Sequence, residues 1–180
     1  ADIAAAAERA RGIAKDRGGF YVDQFHAVEA VAAHRDGTGA EILAQAGRVD
    51  AWVACVGTGA TFLGVARALS AAGGALCVAV EPAGSEPLSG RGVRKPRHVI
   101  QGCGYGQVPP HWDAGLVGRV ETVTDDEAAD WRHRLARREG VHVGFSAAAN
   151  VCVAARLLTS DVLPPDARVA TVLCDTGLKY

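Results

Sequence analysis

Apolar residues at the start of the chain recur at helical spacing. Ile3, Ala6, Ala7, Ala10 and Ile13 or Ala14 fall on one face, which predicts a helix over residues 2–17, stopped by Gly18-Gly19. A short strand from Phe20 to Val22 is expected next, then a helical stretch from about Ala27 to His34. A turn from Asp36 to Gly39 opens another helix through about Gln45. The pattern changes at Val49. From there to Val56 the chain is apolar apart from Asp50, as in a strand buried on both faces. Gly57 to Gly59 break the run, Thr61 to Ala72 return to helical spacing, and Gly73-Gly74 stop that helix before a second apolar run, Leu76 to Val80. A strand-helix-strand unit of this length is a right-handed crossover between parallel strands.

Residues 82–115 are rich in Gly and Pro and carry no period. A loop that long in a compact domain is functional or disordered, and here it is expected near the mouth of a site. Arg119 to Val123 reads as a strand. Thr124 stands three residues before Glu127, the signature of a capping box opening a helix from Asp125 to Glu139, which Gly140 ends. Val141 to Val143 is expected to form a short strand. Ser146 can cap a helix from about Ala147 to Leu158, and Arg168 to Cys174 reads as a last buried strand. This alternation predicts an α/β fold: a doubly wound, mostly parallel sheet with helices on both faces, in three αβα layers, over residues 1–180 as one domain.

Composition narrows the function. Of 180 residues, 49% are hydrophobic and 22% charged, with a formal net charge of -1. That balance lacks the cationic surplus that phosphate-backbone binding requires, so no nucleic-acid partner is expected. The dense basic run Arg132, His133, Arg134, Arg137 and Arg138 lies on the same predicted helix as Asp125, Asp126, Glu127, Asp130 and Glu139, and reads as a solvated face. No apolar run is long enough to cross a bilayer and no secretory signal opens the chain, which points to a cytoplasmic protein without a membrane partner. The five cysteines contain no CxxC pair and sit among apolar residues, as reduced buried thiols do; the six histidines lack ligand spacing, so no metal site is expected. Methionine is absent throughout, even at position 1, which suggests a piece of a longer polypeptide.

The chemistry concentrates at Gly57-Thr58-Gly59-Ala60-Thr61, between a buried strand and a helix. Glycines let the backbone turn tightly and approach a ligand. The first amides of the helix are unpaired and its dipole adds partial positive charge, so an anion fits there, with the hydroxyls of Thr58 and Thr61 as further donors. A tight turn with a threonine cap would look the same. A dinucleotide fold is a rival, because Glu81 ends the next strand where a ribose-binding acid would stand. Its third glycine, however, would fall on Phe62. No lysine follows the glycines as in a nucleotide phosphate loop, and Gly144-Phe145-Ser146-Ala147-Ala148 lacks the last glycine of a serine-hydrolase elbow.

Seven segments, in order, resemble the cysteine synthase and cystathionine β-synthase family of fold-type II pyridoxal-phosphate enzymes. FYVDQF at 20–25 looks like the family's stretch before its substrate-side loop, and HRDGTGAEI at 34–42 is similar to its HxxTTGPEI. VDAWVACVGTGATFLGVARAL at 49–69 resembles its strand, GTGGT phosphate loop and helix. VAVEPAGSEPLSG at 78–90 and VIQGCGYGQVPP at 99–110 are similar to VEPxxSxxLSGG and IQGIGAGFxP. REGVHVGFSAAA at 138–149 and VLCDTGLKY at 172–180 resemble EEGIlvGISSGA and vlPDSGERY.

The resemblance implies pyridoxal 5'-phosphate as cofactor, cradled through its phosphate by Gly57, Thr58, Gly59, Ala60 and Thr61. It places Thr176 beside the pyridine nitrogen and Gln24 at the substrate carboxylate. It implies β-replacement on a small serine-derived amino acid, and a homodimer. The family's Schiff-base lysine lies upstream of position 1, so no catalytic residue is expected in this chain, which on its own should be inactive; Lys15, Lys95 and Lys179 have no such claim. Ala60 in place of a loop glycine, Ala147 and Ala148 in place of Ser-Gly, Ala27 to Ala32 in place of an Asn-Pro run and Leu178-Lys179 in place of Glu-Arg leave the substrate open. A dehydratase or threonine synthase-like lyase shares the same features. A NAD-binding oxidoreductase domain and a non-catalytic scaffold of the same fold are the remaining alternatives.

Overall fold

The computed structural model describes residues 3–180; Asp2, the first residue of the predicted opening helix, lies outside them. Helix α1 spans Ile3–Arg17 and α2 Val28–Ala33, and a π-helical stretch, His34–Gly39, runs directly into α3, Ala40–Ala46. Strand β1 (Ala51–Cys55), helix α4 (Ala60–Ala71) and strand β2 (Leu76–Pro82) form the expected crossover. Two-residue strands β3 (Ser85–Glu86) and β4 (Gly92–Val93) pair antiparallel. Then come β5 (Arg119–Val123), α5 (Asp125–Arg134) with a π-helical end at Leu135–Glu139, α6 (Phe145–Leu158) and β6 (Val169–Thr171).

The main sheet has the order β5-β2-β1-β6, and every pairing in it is parallel. Because side chains alternate along a strand, β1 feeds two cores. Trp52, Ala54 and Val56 pack with α4 and with Val31, Ile42 and Leu43. Ala51 and Val53 pack with Ala128 of α5 and with Ala149, Cys152 and Val153 of α6. The sheet therefore lies between two helical layers, as expected. Each fully buried chain such as Leu63, Val53 or Val80 stabilises the fold by about 1.5–3 kcal/mol. Trp52 Nε1 donates to the Phe62 carbonyl at 3.2 Å and ties β1 to the first turn of α4.

The loop over 82–115 is irregular yet pinned by carboxylates. Glu81, 1% exposed, accepts from the amides of Leu88 and Ser89 and from the Ser89 hydroxyl. Glu86 accepts from the Gly84 amide at 2.7 Å, from Arg94 at 2.9 Å and from Arg91. The capping box is also present: Thr124 Oγ1 accepts from the Glu127 amide at 3.2 Å, and the Glu127 carboxylate accepts from the Thr124 amide at 2.9 Å. Thr124→Ala is expected to lower stability by about 1 kcal/mol, read from the denaturation midpoint of the full-length protein.

Several expectations are corrected. Phe20 to Val22 is not a strand: Phe20 is 88% exposed, and no sheet edge lies beside it among the described residues. The turn expected at Asp36 to Gly39 is part of a continuous helix. Its glycine serves contact with α4, because a Cβ on Gly39 would sit 2.5 Å from Ala68 Cβ. Val141 to Val143 gives only a bridge from Val143 to Thr176. Gly144, not Ser146, stands at the start of α6, and its side-chain-free cap is unassisted. The last strand is three residues long and only partly buried, since β6 is the sheet edge. No residue of α1 is fully buried, and of its apolar face Ile3, Ala7 and Ala14 are half-buried. Arg132 leaves the solvated face: its guanidinium lies 4.3 Å from the Phe145 ring centre and donates to the Val143 carbonyl. Cys55 is half-buried and Cys174 exposed, not buried as expected; Cys77, Cys103 and Cys152 are buried.

Candidate active site

In the strand order, the chain leaves β1 on one side toward β2, while β6 returns on the other. Such a reversal opens a crevice beyond the carboxyl ends of the strands, where α/β proteins bind ligands. A cavity of about 580 Å³ lies there, between the loop after β1 and the segment after β6. Gly57, Thr58, Gly59 and Thr61 line it, as do Gln24, Cys55, Gln101, Tyr105 and Asn150.

The loop owes its shape to two glycines with different tasks. Gly59 has φ +91°, a left-handed conformation that turns the chain into α4. Gly57 is needed for proximity: a Cβ there would lie 2.3 Å from the Gly102 carbonyl oxygen. Ala60 begins α4 in the helix itself and lies buried behind the loop, so alanine is accommodated where the family has glycine. Thr58 Oγ1 accepts weakly from the Ala60 amide at 3.4 Å. Among the described residues, the amides of Gly57, Thr58, Gly59, Thr61 and Phe62 have no hydrogen-bond partner. They gather at the positive end of a 12-residue helix whose mouth is the cavity. That donor set fits a phosphate monoester.

Other walls carry polar groups. Asn150, fully buried in α6, accepts from the Cys55 amide at 2.7 Å and donates to the Val172 carbonyl at 2.9 Å. His34 reaches the rim from the π-helical stretch, with Nε2 3.0 Å from Thr61 Oγ1. Asp175 accepts from the Tyr180 hydroxyl at 2.8 Å; burial, reinforced by that carboxylate, pushes the phenol up to about 12. Contact with Cys103 and burial push the Cys55 thiol well up. Cys174 is exposed as a residue, but desolvation of its sulfur, which lies against Ser146, raises that thiol too, so both stay protonated at neutral pH. Neither thiol is thereby prepared as a nucleophile. Among the described residues, no group of three or more His, Cys, Asp or Glu is placed to hold a metal ion.

The structure thus brings Gln24 to the same cavity as the glycine loop, although 32 residues of chain separate Gln24 from Gly57. It does not bring Thr176 to the lining. That hydroxyl accepts from the Leu178 amide at 3.3 Å, one residue beyond Asp175, which does line the cavity. The 82–115 segment supplies Gln101, Gly102 and Tyr105, as expected of a loop at the mouth. Lys95 is paired with Asp125, whereas Lys179 borders the cavity. Glu81 spends its carboxylate on the loop at 88–89, which removes the acid that a dinucleotide site would require. Sequence reasoning missed Asn150, Asp175 and the role of His34. The available signals were a polar residue interrupting apolar helical spacing at Asn150, and the family-matched positions of His34 and Asp175.

The sequence profile of the family described as pyridoxal-phosphate dependent enzyme matches residues 1–175. A cysteine synthase of Haemophilus influenzae is 41% identical over 131 residues, 69% of this chain and 42% of that protein. The solved structure of an O-ureido-L-serine synthase superposes with a TM-score of 0.85 at 34% identity, covering 93% of this chain and 52% of the other. A cysteine synthase structure from Entamoeba histolytica gives 0.88 at 27% identity, over 96% and 51%. The chain spans about half the length of the relatives it matches.

Proposed function

The chain belongs to the family of pyridoxal-phosphate dependent enzymes, and from that premise we propose that its Gly57–Thr61 loop holds the phosphate of pyridoxal 5'-phosphate. The reaction we assign to the intact protein is β-replacement on a serine-derived amino acid, of the cysteine synthase kind. The observation that carries the reading is the set of unpartnered amides at the start of α4, open to the cavity. Residues 1–180 form, on this reading, the phosphate-binding domain of a longer fold-type II enzyme. It works as a homodimer in the cytoplasm and draws its Schiff-base lysine from elsewhere in the polypeptide.

When bound, pyridoxal phosphate supplies the electron sink for losing a β-substituent and accepting a nucleophile such as sulfide. The protein's own part is binding, orientation and exclusion of water. The amides of Gly57, Thr58, Gly59, Thr61 and Phe62 would hold the phosphate dianion with charge-assisted bonds, and the dipole of α4 would add to them. Ala60 sets the first helical turn without blocking the cup. Gln24 is assigned the substrate carboxylate, to which its side-chain amide can donate. Phe62 and Tyr105 form apolar walls that strengthen every polar contact inside the cavity. Thr176, next to the lining residue Asp175, is assigned the pyridine nitrogen; its hydroxyl would have to turn from the Leu178 amide into the cavity. A neutral hydroxyl there would leave that nitrogen largely unprotonated, which suits β-elimination.

The full-length protein, purified from cells, is expected to show the visible absorbance of bound pyridoxal phosphate and to consume a serine ester in the presence of sulfide. Thr176→Ala is expected to slow turnover about tenfold or more while changing cofactor affinity far less. A protein that takes up no pyridoxal phosphate sinks the reading. One that releases a keto acid from serine or threonine without a nucleophile is the dehydratase alternative.

A further inference from the structure

His34 makes two polar contacts that the proposed reaction leaves unused. Its Nε2 lies 3.0 Å from Thr61 Oγ1 and its Nδ1 lies 3.0 Å from Thr38 Oγ1. Glycine makes the arrangement possible: a Cβ on Gly64 would meet His34 Cβ at 2.6 Å and the Val31 carbonyl oxygen at 2.6 Å, so α2 rests directly on α4. The imidazole is thereby held beside the first turn of α4, one helical turn before Gly64. Burial lowers the His34 pKa, and the ring is neutral at neutral pH.

A neutral imidazole donates at one nitrogen and accepts at the other, which leaves two ways to fill these contacts. In one, Thr61 gives its single hydroxyl hydrogen to Nε2 and turns lone pairs toward the cavity, where they repel an anion. In the other, Nε2–H donates to Thr61 Oγ1, leaving the Thr61 hydrogen free to point at the anion. Thr38 then completes the chain by donating to Nδ1, and its hydroxyl has no other partner among the described residues.

We propose that His34 is a positioning residue that fixes the Thr61 hydroxyl as a donor to the phosphate, through the chain Thr38 O–H to Nδ1, Nε2–H to Thr61 Oγ1, Thr61 O–H to phosphate. The proposal rests on the assignment of the phosphate to the Gly57–Thr61 loop. It makes a residue outside the loop part of the anion site, working only through Thr61.

The first test needs no substitution. Full-length protein carrying ¹⁵N-labelled histidine and bound pyridoxal phosphate is expected to show His34 with a protonated Nε2 and a bare Nδ1; the opposite tautomer overturns the proposal. The second test is a cycle read as affinity for pyridoxal phosphate. His34→Phe and Thr61→Val should each weaken binding about tenfold. The double variant should be no worse than about twofold beyond Thr61→Val, because the histidine acts through that hydroxyl. Independent losses that multiply to about a hundredfold mean a purely structural histidine and reject the proposal. Thr61→Ser should retain wild-type affinity. Unchanged affinity in Thr61→Val would remove that hydroxyl as a phosphate donor and reject the proposal, while leaving the loop amides as the holders of the phosphate. A weakened Thr61→Val beside an unaffected His34→Phe rejects only the role of the histidine.

Discussion

Gly57→Ala is expected to weaken pyridoxal-phosphate binding about a hundredfold while leaving the parallel sheet folded. The added methyl would lie 2.3 Å from the carbonyl oxygen of Gly102, about an ångström inside normal contact. The obstacle is backbone, so no side chain can rotate away. Either the loop after β1 or the segment around Gly102 must shift, and both line the cavity. A displacement of about 1 Å in a positioning element costs about a hundredfold where several donors must converge. Gly59→Ala offers the contrast. There the methyl has ordinary room, 3.4 Å from Pro109 Cγ, and the cost comes from φ +91°, about 1–2 kcal/mol for a residue with a Cβ. Fluorescence titration of the full-length apoprotein with pyridoxal phosphate, alongside circular dichroism, measures both variants. A Gly57→Ala protein with wild-type affinity would show that the loop does not need its close approach to Gly102.

These two glycines also mark the limit of what the sequence discloses. Strand-helix-strand at Val49 to Val80 is legible because a strand covered on both faces must be apolar at every position, and glycine pairs punctuate it. The capping box at Thr124 and Glu127 is legible because both halves of the motif lie three residues apart in the chain. Phe20 to Val22 misleads because β-favouring residues form a strand only where a neighbouring edge accepts their hydrogen bonds. Asp36 to Gly39 misleads for a related reason. Glycine has the same signature whether it breaks a helix or lets one helix lie against another, and only the contact with Ala68 separates the two.

The same reasoning divides the candidate site. The glycine loop is local, so its anion-binding character follows from five consecutive residues. Gln24 entered through family resemblance, and the cavity unites it with the loop. His34 and Asp175 lie in family-matched segments, but the motifs did not disclose their contacts, because their partners, Thr61 and Tyr180, become neighbours only through helix packing and a terminal turn. Thr176 shows the opposite limit: a motif names the residue, while its hydroxyl is engaged with the Leu178 amide at 3.3 Å.

Asn150→Leu is expected to cost about 3–4 kcal/mol of folding stability, the largest loss anticipated for a single side chain here. Asn150 is 0% exposed and uses both ends of its amide. It accepts from the Cys55 amide at the end of β1 and donates to the Val172 carbonyl just past β6. Leucine fills a similar volume but strands an N–H and a C=O, each at about 1–3 kcal/mol when left unsatisfied in a buried place. The loss also frees the two walls of the crevice from each other, so cofactor affinity should fall with stability. Asn150→Asp separates these effects by pH. A carboxylate retains the acceptor for Cys55 but cannot donate to Val172, and burial disfavours its charge, raising its folded-state pKa above the unfolded value. The folded state then binds the extra proton, so stability must rise as pH falls through that raised pKa, where the protonated acid can donate again. Denaturant midpoints of the full-length protein at neutral and mildly acid pH should converge on wild type for Asn150→Asp and stay apart for Asn150→Leu. If the two variants respond alike to acid, the hydrogen bond to Val172 is not what joins the strands at the crevice.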